Sequence, residues 1–205
     1  MSSPRAHRFA VRRALRSATA LAGAVAMAFM AAACSSSSSK QPDGANFVGG
    51  DGSITVVKAD QRKPAPDLSG KTVDGGHADL SAYRGKVVVI NIWGSWCAPC
   101  RAEAPNLAKV AAADTAKGVQ FLGINTRDLD VSNAQRFDKR FGIPYPSLYD
   151  PYGKLILKFP RGNVNPQTLP ATLVVDRQGR IAARALKALS EDELNELIDP
   201  IAAEK

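Results

Sequence analysis

The stretch from Lys86 to Asn125 constrains the fold of this chain more than any other. Lys86–Trp93 (KVVVINIW) is a β-branched run without polar alternation, the pattern of a central strand covered on both faces. Val119–Asn125 (VQFLGIN) reads as a second buried strand, and a helical pattern fills the interval from about Pro99 to Ala116. Strand, helix and strand in that order form a crossover that is right-handed in nearly all structures and sets the two strands parallel in one sheet. The segment Cys97-Ala98-Pro99-Cys100 stands where the first strand gives way to the helix.

The remaining elements build an α/β sandwich, a central mixed sheet flanked by helices, around that unit. Short extended pieces are expected around Leu68 and over Ala78 to Leu80, after the turn-rich Lys63 to Gly70. Downstream the pattern gives a helix over Val131–Phe141, a short strand near Ser147–Tyr149 and a short helix over Tyr152–Lys158. Strands over Ala171–Asp176 and Arg180–Leu186 flank Arg177-Gln178-Gly179, a turn of hairpin length. Ser190 and Glu193 have the spacing of a capping box, with Leu189 and Leu194 as its hydrophobic staple, and this last helix is expected to end near Asp199-Pro200.

Residues 1–33 read differently. Five arginines (Arg5, Arg8, Arg12, Arg13, Arg16) precede sixteen uncharged residues, Ala18 to Ala33, the pattern of a secretion signal rather than part of a fold. Ala31-Ala32-Ala33-Cys34 resembles a bacterial lipobox, with Ala31 in place of the usual Leu, which implies cleavage before Cys34 and a lipid on its sulfur. An ordinary signal peptide with a spare cysteine and an uncleaved anchor are the alternatives, although a spanning helix needs ~20 apolar residues. Arg12-Arg13 also leaves twin-arginine export open. The Ser- and Gly-rich residues 35–53 read as a flexible linker with a root-mean-square span of ~25 Å, and residues 54–205 as the domain.

The charge balance follows from the same division. The net charge of +8 comes from 27 basic and 19 acidic residues, and removing the five arginines leaves 22 against 19. At +3 the domain lacks the strongly basic surface that nucleic-acid binding requires.

Three cysteines occur, so a lipidated Cys34 leaves Cys97 and Cys100 as a pair. At a helix N-terminus, free N–H groups and the dipole favour the Cys97 thiolate, and Cys100 lies one turn in, shielded and placed to attack a mixed disulfide. Lowering a thiol pKa from ~8.5 to ~7 raises the thiolate fraction at pH 7 roughly sixteen-fold, while a Brønsted slope of about 0.5 removes perhaps six-fold in nucleophilicity. The small net gain makes Cys97 as useful as a leaving group as it is as a nucleophile. Three other readings compete. A zinc half-site lacks recognisable partners beyond His77, Cys34 and carboxylates, and haem attachment wants His where Arg101 stands. A purely structural disulfide closing so small a loop adds little stability.

Trp93-Gly94-Ser95-Trp96-Cys97-Ala98-Pro99-Cys100 is similar to the active-site segment of thioredoxin-fold proteins, and Arg101-Ala102-Glu103-Ala104-Pro105 narrows the resemblance to the TlpA/ResA-like branch of membrane-anchored disulfide reductases. The resemblance covers about Pro64 to the C-terminus. It implies a thioredoxin-like fold with a central insertion over Thr126–Pro151 and an N-terminal extension. It also implies Cys97 as the attacking and Cys100 as the resolving cysteine, and Glu103 as an acid beneath the pair that manages its protons. Thr168-Leu169-Pro170-Ala171 resembles the family's cis-proline loop, in which Pro170 lies against the cysteines, keeps metal away and leaves the Leu169 backbone free for an extended substrate. Trp96, Ala98 and Pro99 complete the surroundings of the pair, and Trp93 and Trp96 are expected as packing and wall residues. Asn91 departs from the buried Asp that thioredoxins carry six residues before the attacking cysteine, which moves the acid's role to Glu103. Pro105 is expected to kink the active-site helix, and His77 to lie on a surface turn.

The expectation that results is an exported, membrane-tethered thiol-disulfide oxidoreductase on the extracytoplasmic face, needing no organic cofactor or metal beyond a redox-active Cys97–Cys100 disulfide. The family implies a CcdA/DsbD-like membrane electron donor and, as partners, exported proteins with disulfides, apocytochrome c among them. An envelope disulfide oxidase is the nearest rival, and a non-enzymatic partner-binding lipoprotein the rival from another class. A peroxidase of the peroxiredoxin type would want a lone peroxidatic cysteine in its own loop motif, which is absent from the sequence.

Overall fold

The computed structural model describes residues 54–204. The expected secretion signal, Cys34 and the linker over 35–53 lie outside them. The described residues hold eight strands: β1 (Ile54–Val56), β2 (Ser69–Lys71), β3 (His77–Asp79), β4 (Val87–Trp93), β5 (Val119–Thr126), β6 (Ser147–Asp150), β7 (Ala171–Val175) and β8 (Ile181–Ala185). Three α-helices accompany them: α1 (Ala98–Asp114), α2 (Val131–Phe141) and α3 (Glu191–Ala202). Six strands form one sheet in the order β1-β8-β7-β4-β5-β6, and β2 and β3 form a separate antiparallel hairpin.

β4 holds the centre because every one of its residues is buried, as a strand covered on both faces must be. It runs parallel to β5 and antiparallel to β7, and β5 runs parallel to β6. The crossovers β4-α1-β5 and β5-α2-β6 step the same way along the sheet, so right-handedness puts both helices on one face. Val87 and Val89 meet Leu107, Val110 and Ala111 of α1 and Leu194, Leu197 and Ile198 of α3 in one cluster. The alternate residues Val88, Ile90 and Ile92 point the other way, toward Leu68, Ala78, Ile156 and Phe159.

Parallel β4, β5 and β6 bring their carboxyl ends to one edge of the sheet. Antiparallel pairing brings the start of β7 to the same edge, with Ile92 opposite Ala171 and Asn91 opposite Thr172. Register therefore brings the loop that carries Cys97, four residues beyond β4, and Pro170, the residue before β7, to the same edge of the sheet. Gly123 permits this packing on β5. A Cβ there would fall 2.8 Å from Ser147 Cβ and 3.0 Å from Trp93 Nε1.

Several sequence expectations need correction. The short helix expected over Tyr152–Lys158 is confined to a 3-10 turn, Ile156–Lys158, reached through turns in which the Asp150 carboxylate accepts from the N–H groups of Lys154 and Leu155, both at 2.8 Å. The last helix does not stop at Asp199-Pro200 but continues to Ala202 with Pro200 inside it, because Ile201 is buried and the Ala203 N–H closes on the Asp199 carbonyl at 3.0 Å. Leu68 precedes its strand, and Leu80 opens a 3-10 turn rather than ending an extended piece. His77 lies on β3, exposed, rather than in a turn. The capping box forms, Ser190 Oγ accepting from Glu193 N and Glu193 Oε2 from Ser190 N, and Leu189 and Leu194 are both buried above it. Arg62 ties the first described residues to the last, donating to Asp176 at 3.1 Å and to Glu204 at 2.5 and 2.6 Å.

Candidate active site

Cys97 is the N-cap of α1, with extended backbone (φ −78°, ψ 113°), and its sulfur accepts the Cys100 N–H at 3.2 Å. Ala98 and Pro99 fill the first turn, where proline costs nothing because the N–H it lacks has no helical partner. Cys97 and Cys100 are joined in a disulfide, with Sγ atoms 2.08 Å and Cα atoms 5.2 Å apart. Both are buried, at 4% and 1% exposure, whereas Trp96, Ala98 and Pro99 lie open around them. A helix terminus aimed at the outer sulfur favours negative charge there, as sulfur exchange requires.

Glu103 stands one turn further along α1, on the same helix face as Cys100. It is 1% exposed. Its Oε1 accepts from Asn91 Nδ2 at 2.9 Å and its Oε2 from the Leu189 N–H at 3.1 Å. Burial pushes the Glu103 carboxyl up to about 7, against the opposing pull of the hydrogen bonds from Asn91 and Leu189. A carboxyl poised there takes or gives a proton near neutral pH. Asn91 also donates to Thr172 Oγ1 at 3.3 Å, which links β4 and α1 to β7. The α-helix runs on through Pro105, whose missing N–H leaves the Arg101 carbonyl without its helical partner.

The Leu169–Pro170 peptide bond is cis. Leu169 packs into the cluster that contains Cys97, Cys100, Ala104 and Trp93, and Pro170 is buried. Trp93 is a packing residue, stacked on Phe137 of α2 at 4.2 Å with its Nε1 donating to Ser147 Oγ at 3.2 Å. Trp96 is 47% exposed, and the Arg127 guanidinium lies 4.6 Å from its ring. Gly94 makes room for this arrangement, since a Cβ there would meet the Trp96 indole at 2.7 Å.

The sequence did not point to the support beneath the loop. Asp128 Oδ2 accepts from Ser95 N at 2.9 Å and from Asn125 Nδ2 at 2.7 Å, and Oδ1 accepts from Ser95 Oγ at 2.5 Å. Asp128 and Arg127 lie in the β5–α2 connection, over thirty positions from Ser95, and no spacing rule joins them. Among the described residues no group of three or more His, Cys, Asp or Glu is placed to hold a metal, and no helix is long and apolar enough to cross a membrane.

Comparison with known proteins agrees with this geometry. The family model described as AhpC/TSA matches residues 62–184. The thiol:disulfide interchange protein HelX of Rhodobacter capsulatus is 36% identical over 151 residues, 73% of this chain and 80% of that protein. The thiol-disulfide oxidoreductase ResA of Geobacillus thermodenitrificans is 28% identical over 67% of this chain and 75% of its own. Among solved structures, a DsbF homologue from Corynebacterium diphtheriae superposes with a TM-score of 0.69 at 35% identity, covering 76% of this chain and 98% of the other.

Proposed function

The chain belongs to the AhpC/TSA family and is a thioredoxin-fold thiol-disulfide oxidoreductase, and from that premise we propose that it works as a reductase of disulfides in exported proteins. The observation that carries the reading is Cys97 at the mouth of α1, accepting the Cys100 N–H, with Glu103 buried one turn below at about 7.

The reduced Cys97 thiolate attacks one sulfur of a substrate disulfide, and the other substrate sulfur leaves as a thiolate. Cys100 then gives its proton to Glu103 and attacks Cys97 Sγ. The second substrate thiol is released, and the Cys97–Cys100 bond forms. Two electrons have passed to the substrate. A helix terminus that stabilises the Cys97 thiolate also makes Cys97 a good leaving group in this second step. Trp96, Ala98 and Pro99 offer the open surface around the pair, and Leu169, held by the cis bond to Pro170, packs against it.

The setting belongs to the same proposal. Cys34 carries a lipid, residues 35–53 act as a tether on the extracytoplasmic face, and a CcdA/DsbD-like membrane carrier returns the electrons. Apocytochrome c, implied by the TlpA/ResA resemblance, is the proposed substrate among exported proteins. Equilibrating the purified protein with glutathione tests the direction of flow. A strongly reducing couple supports the reductase, whereas a potential near the about −120 mV of a strong oxidant such as DsbA makes the chain an envelope oxidase instead.

A further inference from the structure

We propose that Asp128 is the positioning residue of the redox pair, its carboxylate clamping the loop that carries Cys97 and so fixing the line along which that sulfur attacks. The carboxylate is 3% exposed, and among the described residues no cation forms an ion pair with it. A buried charge without a counter-ion is costly unless hydrogen bonds replace its water. Three donors do so here, and two of them belong to Ser95, two residues before Cys97: its N–H at 2.9 Å and its Oγ–H at 2.5 Å. The third, Asn125 Nδ2 at 2.7 Å, anchors the same carboxylate to the end of β5.

The backbone around Asp128 is equally committed. The Tyr149 hydroxyl of β6 donates to the Asp128 carbonyl at 2.9 Å and to the Leu129 carbonyl at 3.1 Å. Arg127 is the one described non-glycine residue with positive φ, 60°, a conformation that persists only where its surroundings impose it. That turn sends the Arg127 guanidinium over Trp96 and the Asp128 carboxylate under Ser95. From the opposite side, Arg101 Nη1 donates to the Ser95 carbonyl at 2.9 Å. Ser95 is therefore held at its N–H, its hydroxyl and its carbonyl, and the Cys97 N–H closes the loop on Gly94 O at 3.1 Å. Attack on a disulfide is sensitive to sub-ångström placement of the nucleophile. A rigid N-terminal side to Cys97 supplies that placement, while the helix supplies only its charge environment.

The inference rests on Cys97 as the attacking group, and the test separates the two ideas. The probe is hydroxyethyl disulfide, too small to depend on a docking surface, and the readout is the second-order rate at which the reduced full chain consumes it. Asp128→Ala is expected to lower the rate about tenfold. Asp128→Asn keeps an acceptor for the Ser95 and Asn125 N–H groups and donates from its amide to Ser95 Oγ, so it should recover to within about twofold of wild type. Ser95→Ala, which keeps the N–H bond alone, should fall between. Leu194→Ala, buried on α3 in the cluster away from the cysteines, controls for lost stability. A wild-type rate in Asp128→Ala, with a melting drop like that of Leu194→Ala, overturns the proposal. So does an Asp128→Asn as slow as Asp128→Ala, which would assign the effect to charge. Should Asp128→Ala not fold, an unchanged rate in Ser95→Ala overturns it instead. A Cys97→Ser chain that keeps its rate defeats the assignment of Cys97 itself, whatever Asp128 does.

Discussion

Glu103→Gln should remove one defined contribution to the pH dependence of stability, that of the buried carboxyl below the cysteine pair. The carboxyl has an ordinary value of 4.5 and stands at about 7 when folded, because burial outweighs the hydrogen bonds from Asn91 and Leu189. Between those two pH values the native state binds a proton that the unfolded state has lost, so stability falls as pH rises. The contribution is fully present below 4.5 and is lost as pH passes through about 7. At ~1.36 kcal/mol per pH unit, the interval corresponds to about 3 kcal/mol lost between pH 4 and pH 8. Glutamine mimics the neutral acid at every pH. Asp138, also pushed up to about 7 by burial and by Asp74, titrates in both proteins and cancels in the difference. Urea unfolding of the oxidised proteins at half-unit steps reads the effect. With a slope of about 2 kcal/mol per molar urea, the variant should match wild type near pH 4 and exceed its midpoint by about 1.5 M at pH 8. Parallel curves for the two proteins would falsify the placement of this titration at Glu103.

Cys100→Ser leaves an intermediate unresolved, so mixed disulfides at Cys97 should accumulate in cells and appear on non-reducing gels. A Cys97→Ser,Cys100→Ser chain should show none. Gly123→Ala forces a Cβ to 2.8 Å from Ser147 Cβ and 3.0 Å from Trp93 Nε1, an overpacking worth about 1–3 kcal/mol in chemical denaturation. An unchanged unfolding midpoint would mean that the β5–β6 spacing yields freely. Ser190→Ala removes the acceptor for the Glu193 N–H and half of the capping box, for a loss of about 1 kcal/mol without change in the rate of disulfide reduction.

How much of this molecule was legible in advance depends on the range of the interactions that decide each part. β4 and β5 announced themselves because burial on both faces fills them mainly with β-branched and large apolar residues, and the capping box of α3 is written in two residues three apart. Tyr152–Lys158 misled for the same reason in reverse: its composition permits a helix over its whole length, but the Asp150 carboxylate captures the N–H groups of Lys154 and Leu155 and only a 3-10 turn follows. Pro200 looked like a stop. A proline in the last turn forfeits one backbone bond, and the burial of Ile201 outweighs it. In the site, Cys97 and Cys100 were readable from their spacing at a helix start and Glu103 from the resemblance to the TlpA/ResA-like branch, whereas Asp128 reaches Ser95 only after β5 has paired with β4.

Asn91 shows how a departure that reads as a loss in sequence becomes a matched pair in three dimensions. Its amide lies 2.9 Å from Glu103 Oε1, on a strand otherwise apolar. A carboxyl at position 91 would face a second carboxyl at that distance in a buried interior, where the two resist ionising together and one holds its proton above neutrality. An amide instead donates to Glu103 and to Thr172, restraining the carboxyl while opposing part of its desolvation. The acid then titrates near neutral pH, alone, at one turn below Cys100. Position 91 and position 103 therefore form a single polar unit, and exchanging Asn for Asp at 91 without altering 103 should push one proton out of the neutral range and slow the resolving step above pH 7.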